Sequence, residues 1–329
     1  MIAFITRRLL LAVLTIWLIS VASFVIIQLP PGDFVSAYIA QLASSGSTVS
    51  AEEAAALRQL YGLGQPIYVQ YGKWISRVVV GDFGQSMEYR RPVLDVIGDR
   101  LWLTIVLAFG SLILTYVLSL PIGIYSAVRQ YSIGDYVFTL FGFLGIAVPN
   151  FLLALAVMYF AFSWFGLNVG GLFSRDFVSA PWDWAKAWDL LKHLPLPGLI
   201  LAFAGTAQLI RIMRANLLDE LRRPYVVTAR AKGLSEWRVI LKYPVRAALN
   251  PFASQMAYIF PSLVSGSIIV SIVLSLPTIG PVLLESLVSQ DMFLAGTIIL
   301  LTGALTVFGT LISDLVLMWV DPRLRHHMD

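Results

Sequence analysis

Apolar stretches long enough to cross a lipid bilayer alternate along this chain with short charged segments. A bilayer core of about 30 Å needs roughly 20 apolar residues in helical form. No charge lies between Arg8 and Asp33, which predicts a first span at Leu9–Leu29. Arg100 and Arg129 enclose a second at Leu101–Ala127, and Asp135 to Arg175 leaves room for a third at Val137–Phe165. Lys192 and Arg211 bound a short fourth at Leu194–Ile210. A fifth falls at Phe252–Leu276, and a sixth between Asp291 and Asp321, interrupted by Asp314. The pattern predicts an all-α, polytopic membrane protein of about six transmembrane helices.

Composition agrees with the pattern. Of the 329 residues, 58% are hydrophobic and only 13% charged, about half the charge usual for a soluble domain. The first stretch is longer than a signal-peptide core and closes on Gln28-Leu-Pro-Pro without a small-residue cleavage site, so it reads as an uncleaved anchor. The net charge of +4 is not a nucleic-acid signature, because the lysines and arginines sit between spans, where they set topology. They concentrate at Arg7, Arg8 and Arg129, in 211–251, and at Arg323 and Arg325. The loop between the fifth and sixth spans has none. Both termini are therefore expected in the cytoplasm, which an even number of spans satisfies.

Two connecting regions carry structure of their own. In 30–100, expected outside, Ser50-x-x-Glu53 is a capping-box signature opening a helix from Ala51 to Tyr61, ended by Gly62, Gly64 and Pro66. This region is either a cap over the helix ends or a surface for an external partner. Trp182, Trp184 and Trp188, within 166–193, suit the lipid–water boundary. The basic segment 211–251 reads as two short helices joined at a glycine. Pro224 suits a first turn, the helix runs to Lys232, Gly233 ends it, Ser235 caps the next, and Pro244 interrupts that one. Contact with anionic lipid would explain its charge but not this order.

The run Tyr225-Val-Val-Thr-Ala-Arg-Ala-Lys-Gly-Leu-Ser-Glu-Trp-Arg-Val-Ile-Leu-Lys, closing at Asn250-Pro251, resembles the cytoplasmic loop of ABC importer permeases of the dipeptide/oligopeptide/nickel family. Phe4-Ile-Thr-Arg-Arg-Leu-Leu, Leu63-Gly-Gln-Pro-Ile-Tyr-Val-Gln-Tyr, Gly81-Asp-Phe-Gly-Gln-Ser, Arg91-Pro-Val, Leu120-Pro-Ile-Gly and Asp321-Pro-Arg-Leu-Arg are similar to other family segments in the same order. Val227 stands where the general loop pattern has Glu, and Tyr243 to Arg246 do not match its Ile-x-Leu-Pro ending; both departures suit the peptide/nickel subclass. The resemblance implies a multi-pass permease in a bacterial cytoplasmic membrane. Residues 1–95 would form an anchor with an extracytoplasmic loop, and 96–329 the permease core. The implied partners are a second homologous permease, two ABC ATPase subunits and an extracytoplasmic substrate-binding protein. In such a permease Tyr225, Thr228, Ala229, Arg230, Ala231, Lys232, Gly233, Leu234 and Glu236 would serve ATPase coupling.

No Gly-x-x-x-x-Gly-Lys-Ser/Thr loop is present, so ATP hydrolysis would belong to partners and no cofactor is expected. There is no cysteine, and the histidines are only His193, His326 and His327, so no metal site is expected. Among ionisable residues only Asp314 falls inside a span, where it is expected to pair with a basic residue at the interface; this weighs against an ion-coupled carrier. A stand-alone channel or ion-coupled secondary transporter remains the alternative. Ser267, Ser271 and Ser275 share a helix face at four-residue spacing, with Ser262, Ser265 and Gly266 nearby. Such a surface suits close helix packing or a polar translocation path, for which Asn150 and Gln208 are further candidates. Peptides are the implied cargo, with oligosaccharide, glutathione or nickel as alternatives.

Overall fold

The computed structural model describes residues 2–29, 33–44, 50–61, 63–167 and 169–320. Pro30-Pro31, Gly62, the Asp321-Pro-Arg-Leu-Arg ending and His326-His327 lie outside them. The described residues are almost wholly helical, with one isolated antiparallel bridge, Gln85 to Pro92. In chain order the first helices are α1 (Ile2–Ile27), α2 (Phe34–Ser44), α3 (Ala51–Tyr61) and α4 (Ile67–Val79). Then come α5 (Val93–Val128), α6 (Ile133–Ala147), α7 (Asn150–Phe165), α8 (Trp184–His193) and α9 (Pro195–Leu221). The remainder are α10 (Pro224–Ala231), α11 (Glu236–Lys242), α12 (Pro244–Ser254), α13 (Met256–Val273), α14 (Ile279–Val288) and α15 (Met292–Val320).

Among the described residues five helices, α1, α5, α9, α13 and α15, are long and apolar enough to cross a membrane, and α6 with α7 makes a sixth span if counted as one. That third span corrects the expectation of one helix through 137–165. It breaks at Val148-Pro149, where the two halves meet at 111°. Proline has no N–H to continue the ladder and restricts the residue before it; Val148 is accordingly extended, at φ −97° and ψ 121°. The fourth span also differs. It runs on through Arg211 and Arg214 to Leu221, because long basic side chains near a helix end can reach the interface while the backbone stays helical.

The chain divides into two compact units. Among the described residues the core unit is built on Thr104–Pro277, joined by 2–4 and 308–320. Within it α6 packs along α9, and the contacts mark two ends. Asp135, opening α6, binds Arg214 near the end of α9. Beyond α7, Gly171 N–H donates to the Leu274 carbonyl, just past α13. Since α9 and α13 run in opposite senses, the bent α6–α7 pair starts at one end of the unit and delivers the chain to the other. It is a broken crossing.

The second unit comprises Ile5–Leu103 and Thr278–Val307. Here α15 runs antiparallel to α1: a Cβ at Gly303 would lie 2.9 Å from Ile19 Cγ2, while Gly296 sits beside Ile27 and Trp74. Phe24, Trp74 and Leu300 form a buried cluster against Ile16, Tyr71 and Ile75. The capping box forms as expected, with Glu53 N–H donating to Ser50 Oγ at 3.1 Å and Ser50 N–H to Glu53 Oε2 at 3.2 Å. Arg58 then ties α3 to the start of α2 through Asp33, at 2.7 Å.

Candidate functional site

Residues 224–242 fold as the sequence predicts, into two short helices joined at a glycine. Pro224 occupies the first turn of α10, Lys232 caps it, and Gly233 takes the left-handed conformation, φ +73°. A residue bearing a Cβ is strained there. Val226, Ala229 and Val239 form a buried cluster packed by Leu234 and Tyr243, so the hairpin has its own small core. Arg230 closes the outside with a two-pronged bond to Glu236, 2.6 Å at its shortest. That bond holds the Glu236 carboxyl below its usual range. Tyr225 hydroxyl donates to Glu220 at the end of α9, and burial, then that carboxylate, pushes the phenol up to about 12.

The nine residues expected to serve coupling therefore divide. Ala229 is buried and Leu234 half-buried, so they build the hairpin. Tyr225, Thr228, Arg230, Ala231, Lys232, Gly233 and Glu236 are exposed. The exposed surface also carries Val227, Trp237 and Leu241, large apolar groups left uncovered.

The residues expected along a path are not brought together. Ser267 and Ser271 are both 1% exposed, and Ser267 Oγ donates to the Val264 carbonyl at 2.7 Å. α13 ends at Val273, leaving Ser275 in the following turn with φ +51°. So the three-serine face does not exist: its first two members pack inward and its third is off the helix. The opposite face of α13 is the open one. Tyr258, Ser262, Ser265 and Ile269 are exposed, spaced so that they fall on one side. Gln208, exposed on α9, donates to Gln255 Oε1 at 3.3 Å, just before α13. Asn150 opens α7 and lies near Gly266, where a Cβ would be 3.6 Å from its side-chain nitrogen.

Sequence reasoning missed the buried carboxylates, of which Asp135 and Asp291 join distant segments. Asp135, in the first turn of α6, receives Arg214 Nε and Nη2, each at 2.8 Å, and the Tyr131 N–H at 3.0 Å. Their separation, 79 residues, hides the pair from any local pattern. In the second unit, Asp291 is fully buried and caps α15 through the Leu294 N–H. It also accepts from Ser86 Oγ at 2.6 Å and Glu88 N–H at 3.1 Å. The Gly81-to-Ser86 motif is thus a small loop pinned on a buried carboxylate. Beside it, burial and then the charges of Glu285 and Asp291 push the Glu88 carboxyl up. Among the described residues no cluster of three or more His, Asp or Glu could hold a metal ion.

With this geometry in place, comparison with known proteins is direct. Residues 119–326 match the family described as binding-protein-dependent transport system inner membrane component, and residues 1–108 match that family's N-terminal segment. The chain is 34% identical to the oligopeptide transport system permease protein AppB of Bacillus subtilis, over 99% of this chain and 100% of that protein. It is 30% identical to the dipeptide transport system permease protein DppB of Alkalihalophilus pseudofirmus, over 99% and 100%. It is 32% identical to the glutathione transport system permease protein GsiC of Salmonella typhi, with the same coverage. An all-α chain with several helices long and apolar enough to cross a membrane agrees with these matches. The chain belongs to the binding-protein-dependent transport system inner membrane component family and is a multi-pass inner-membrane permease subunit of an ABC importer.

Proposed function

We propose that this permease forms half of a translocation path for peptides, and that the α10–α11 hairpin couples the path to separate ATPase subunits. The observation that carries the coupling role is the hairpin itself. It has a private core, a left-handed glycine at its bend and an arginine–carboxylate clasp, yet Tyr225, Val227, Trp237 and Leu241 remain uncovered. An exposed apolar patch on a rigid, basic support suits a protein partner. Both termini are assigned to the cytoplasm; the antiparallel run of α1 and α15 supports one side, and the basic 211–251 segment supports which. Residues 1–95 are assigned to an anchor and extracytoplasmic cap, and 96–329 to the permease core. A second permease, two ATPases and an extracytoplasmic binding protein complete the assembly.

The peptide assignment rests on relatives named for oligopeptide, dipeptide and glutathione transport. The path is assigned to the open face of α13, with Tyr258, Ser262, Ser265 and the Gln208–Gln255 amides. Amides open to hydrocarbon would be costly, whereas a hydrated path offers them water and peptide groups. Gly233→Val tests the coupling role in the assembled transporter: ATP hydrolysis should persist while peptide uptake is lost. Normal uptake would contradict it. The path is tested by single cysteines, which this cysteine-free chain allows. Cysteines at 262 and 265 should react with a water-soluble thiol reagent and be protected by peptide. Equal reactivity at 267 and 271 would sink the assignment.

A further inference from the structure

The Asp135–Arg214 pair is placed where the hairpin's motion would have to be handed on. Arg214 lies within the last turns of α9, and Leu221 at its end is followed almost at once by Pro224 of α10. Asp135 lies in the first turn of α6, the leading half of the broken span. Three features make this junction stiff. The guanidinium meets the carboxylate with two parallel bonds of 2.8 Å, a geometry that fixes orientation as well as distance. The same carboxylate takes the Tyr131 N–H, closing the α5–α6 turn in which Tyr131 holds φ +65°. Farther along, α6 presses on α9 at a glycine: a Cβ at Gly145 would lie 2.8 Å from Ala207 Cβ and 3.1 Å from the Phe203 carbonyl.

Resting on the reading that the hairpin meets an ATPase, we propose that Asp135 and Arg214 are positioning residues for transport. Their fork binds α6 to α9 so that a displacement of the hairpin moves the broken α6–α7 span. An apolar contact could hold the two helices together, but it would not fix their relative rotation. Ion-pair networks that join rigid packed helices are one physical means of carrying such a shift between sites.

The test uses the complete transporter in nanodiscs, with peptide uptake, ATP hydrolysis and assembly each measured. Arg214→Lys keeps the charge and loses the fork. It should assemble normally and hydrolyse ATP, yet use about fivefold or more ATP per peptide imported, the scale on which coupling free energies act. An unchanged ratio of ATP to peptide in Arg214→Lys would overturn the proposal. So would uptake and hydrolysis that fall together in proportion to assembled complex, since that marks a folding role alone. The Gly233→Val variant separates this from the hairpin reading. If Gly233→Val uncouples while Arg214→Lys does not, only the present proposal fails; if neither uncouples, the hairpin reading fails.

Discussion

The core unit contains two arginine–carboxylate pairs with the same forked chemistry and opposite surroundings. At Asp135–Arg214 the side chains are 3% and 27% exposed, and the partners lie 79 residues apart. At Glu236–Arg230 the side chains are 54% and 42% exposed, and the partners lie six residues apart. Water competes for both partners of the second, whereas in the first it reaches only the guanidinium and not the carboxylate. The buried pair fixes two spans to each other, whereas the exposed pair trims a bend already determined by Gly233. The Asp33–Arg58 pair, at 24% and 41% exposed, falls between them and ties α2 to α3.

The comparison can be broken at several points. Asp135→Ala should have the largest effect, about 3–5 kcal/mol of lost stability, because it leaves a cation without its buried partner; thermal unfolding in detergent measures it. Asp135→Ala that unfolds like the parent would mean the two pairs do not differ. Next, Gly233→Val should cost about 1–3 kcal/mol locally, the usual strain of a forced left-handed residue, visible as faster hydrogen exchange in α10 and α11. The intermediate pair gives a pH test. Burial pushes the Asp33 carboxyl up, but Arg58 and Ser36 more than offset it and hold the carboxyl at about 2, against 3.8. Its contribution should be complete above pH 3.8 and disappear as pH falls through 2. Exchange in α2 and α3 should rise over that interval in the parent and not in Asp33→Asn. The smallest effect is expected from Glu236→Ala, about 0.2–1 kcal/mol. A loss there as large as at Asp135 would erase the distinction.

How far these features could be read in the sequence follows from how local they are. The capping box at Ser50, the bend at Gly233 and the start at Pro224 each depend on a few consecutive residues, and all three fold as read. The break at Val148 was equally local in cause, yet an uncharged stretch containing one proline is compatible with either a straight or a broken span. The Asp135–Arg214 and Asp291–Ser86 bonds join distant segments, and no spacing rule reaches that far. The serines of α13, which the sequence left open between packing and a path, show a different limit. A period of 3.6 says which residues share a side, but only the neighbours decide which side is buried. Ser267 and Ser271 are small because α13 packs tightly there, the use that lipid favours for such residues.

The break at Val148-Pro149 also bears on how this protein enters the membrane. α6 has 15 residues and α7 has 16; at 1.5 Å per residue they reach about 22 and 24 Å, short of a bilayer core of about 30 Å. Neither half can be released into lipid as an upright span by itself. The crossing leans on α9, which supplies the cation that Asp135 pairs with and the surface on which Gly145 packs. A chain cut before α9 should therefore hold α6 and α7 poorly in the membrane, which protease accessibility of this crossing would show.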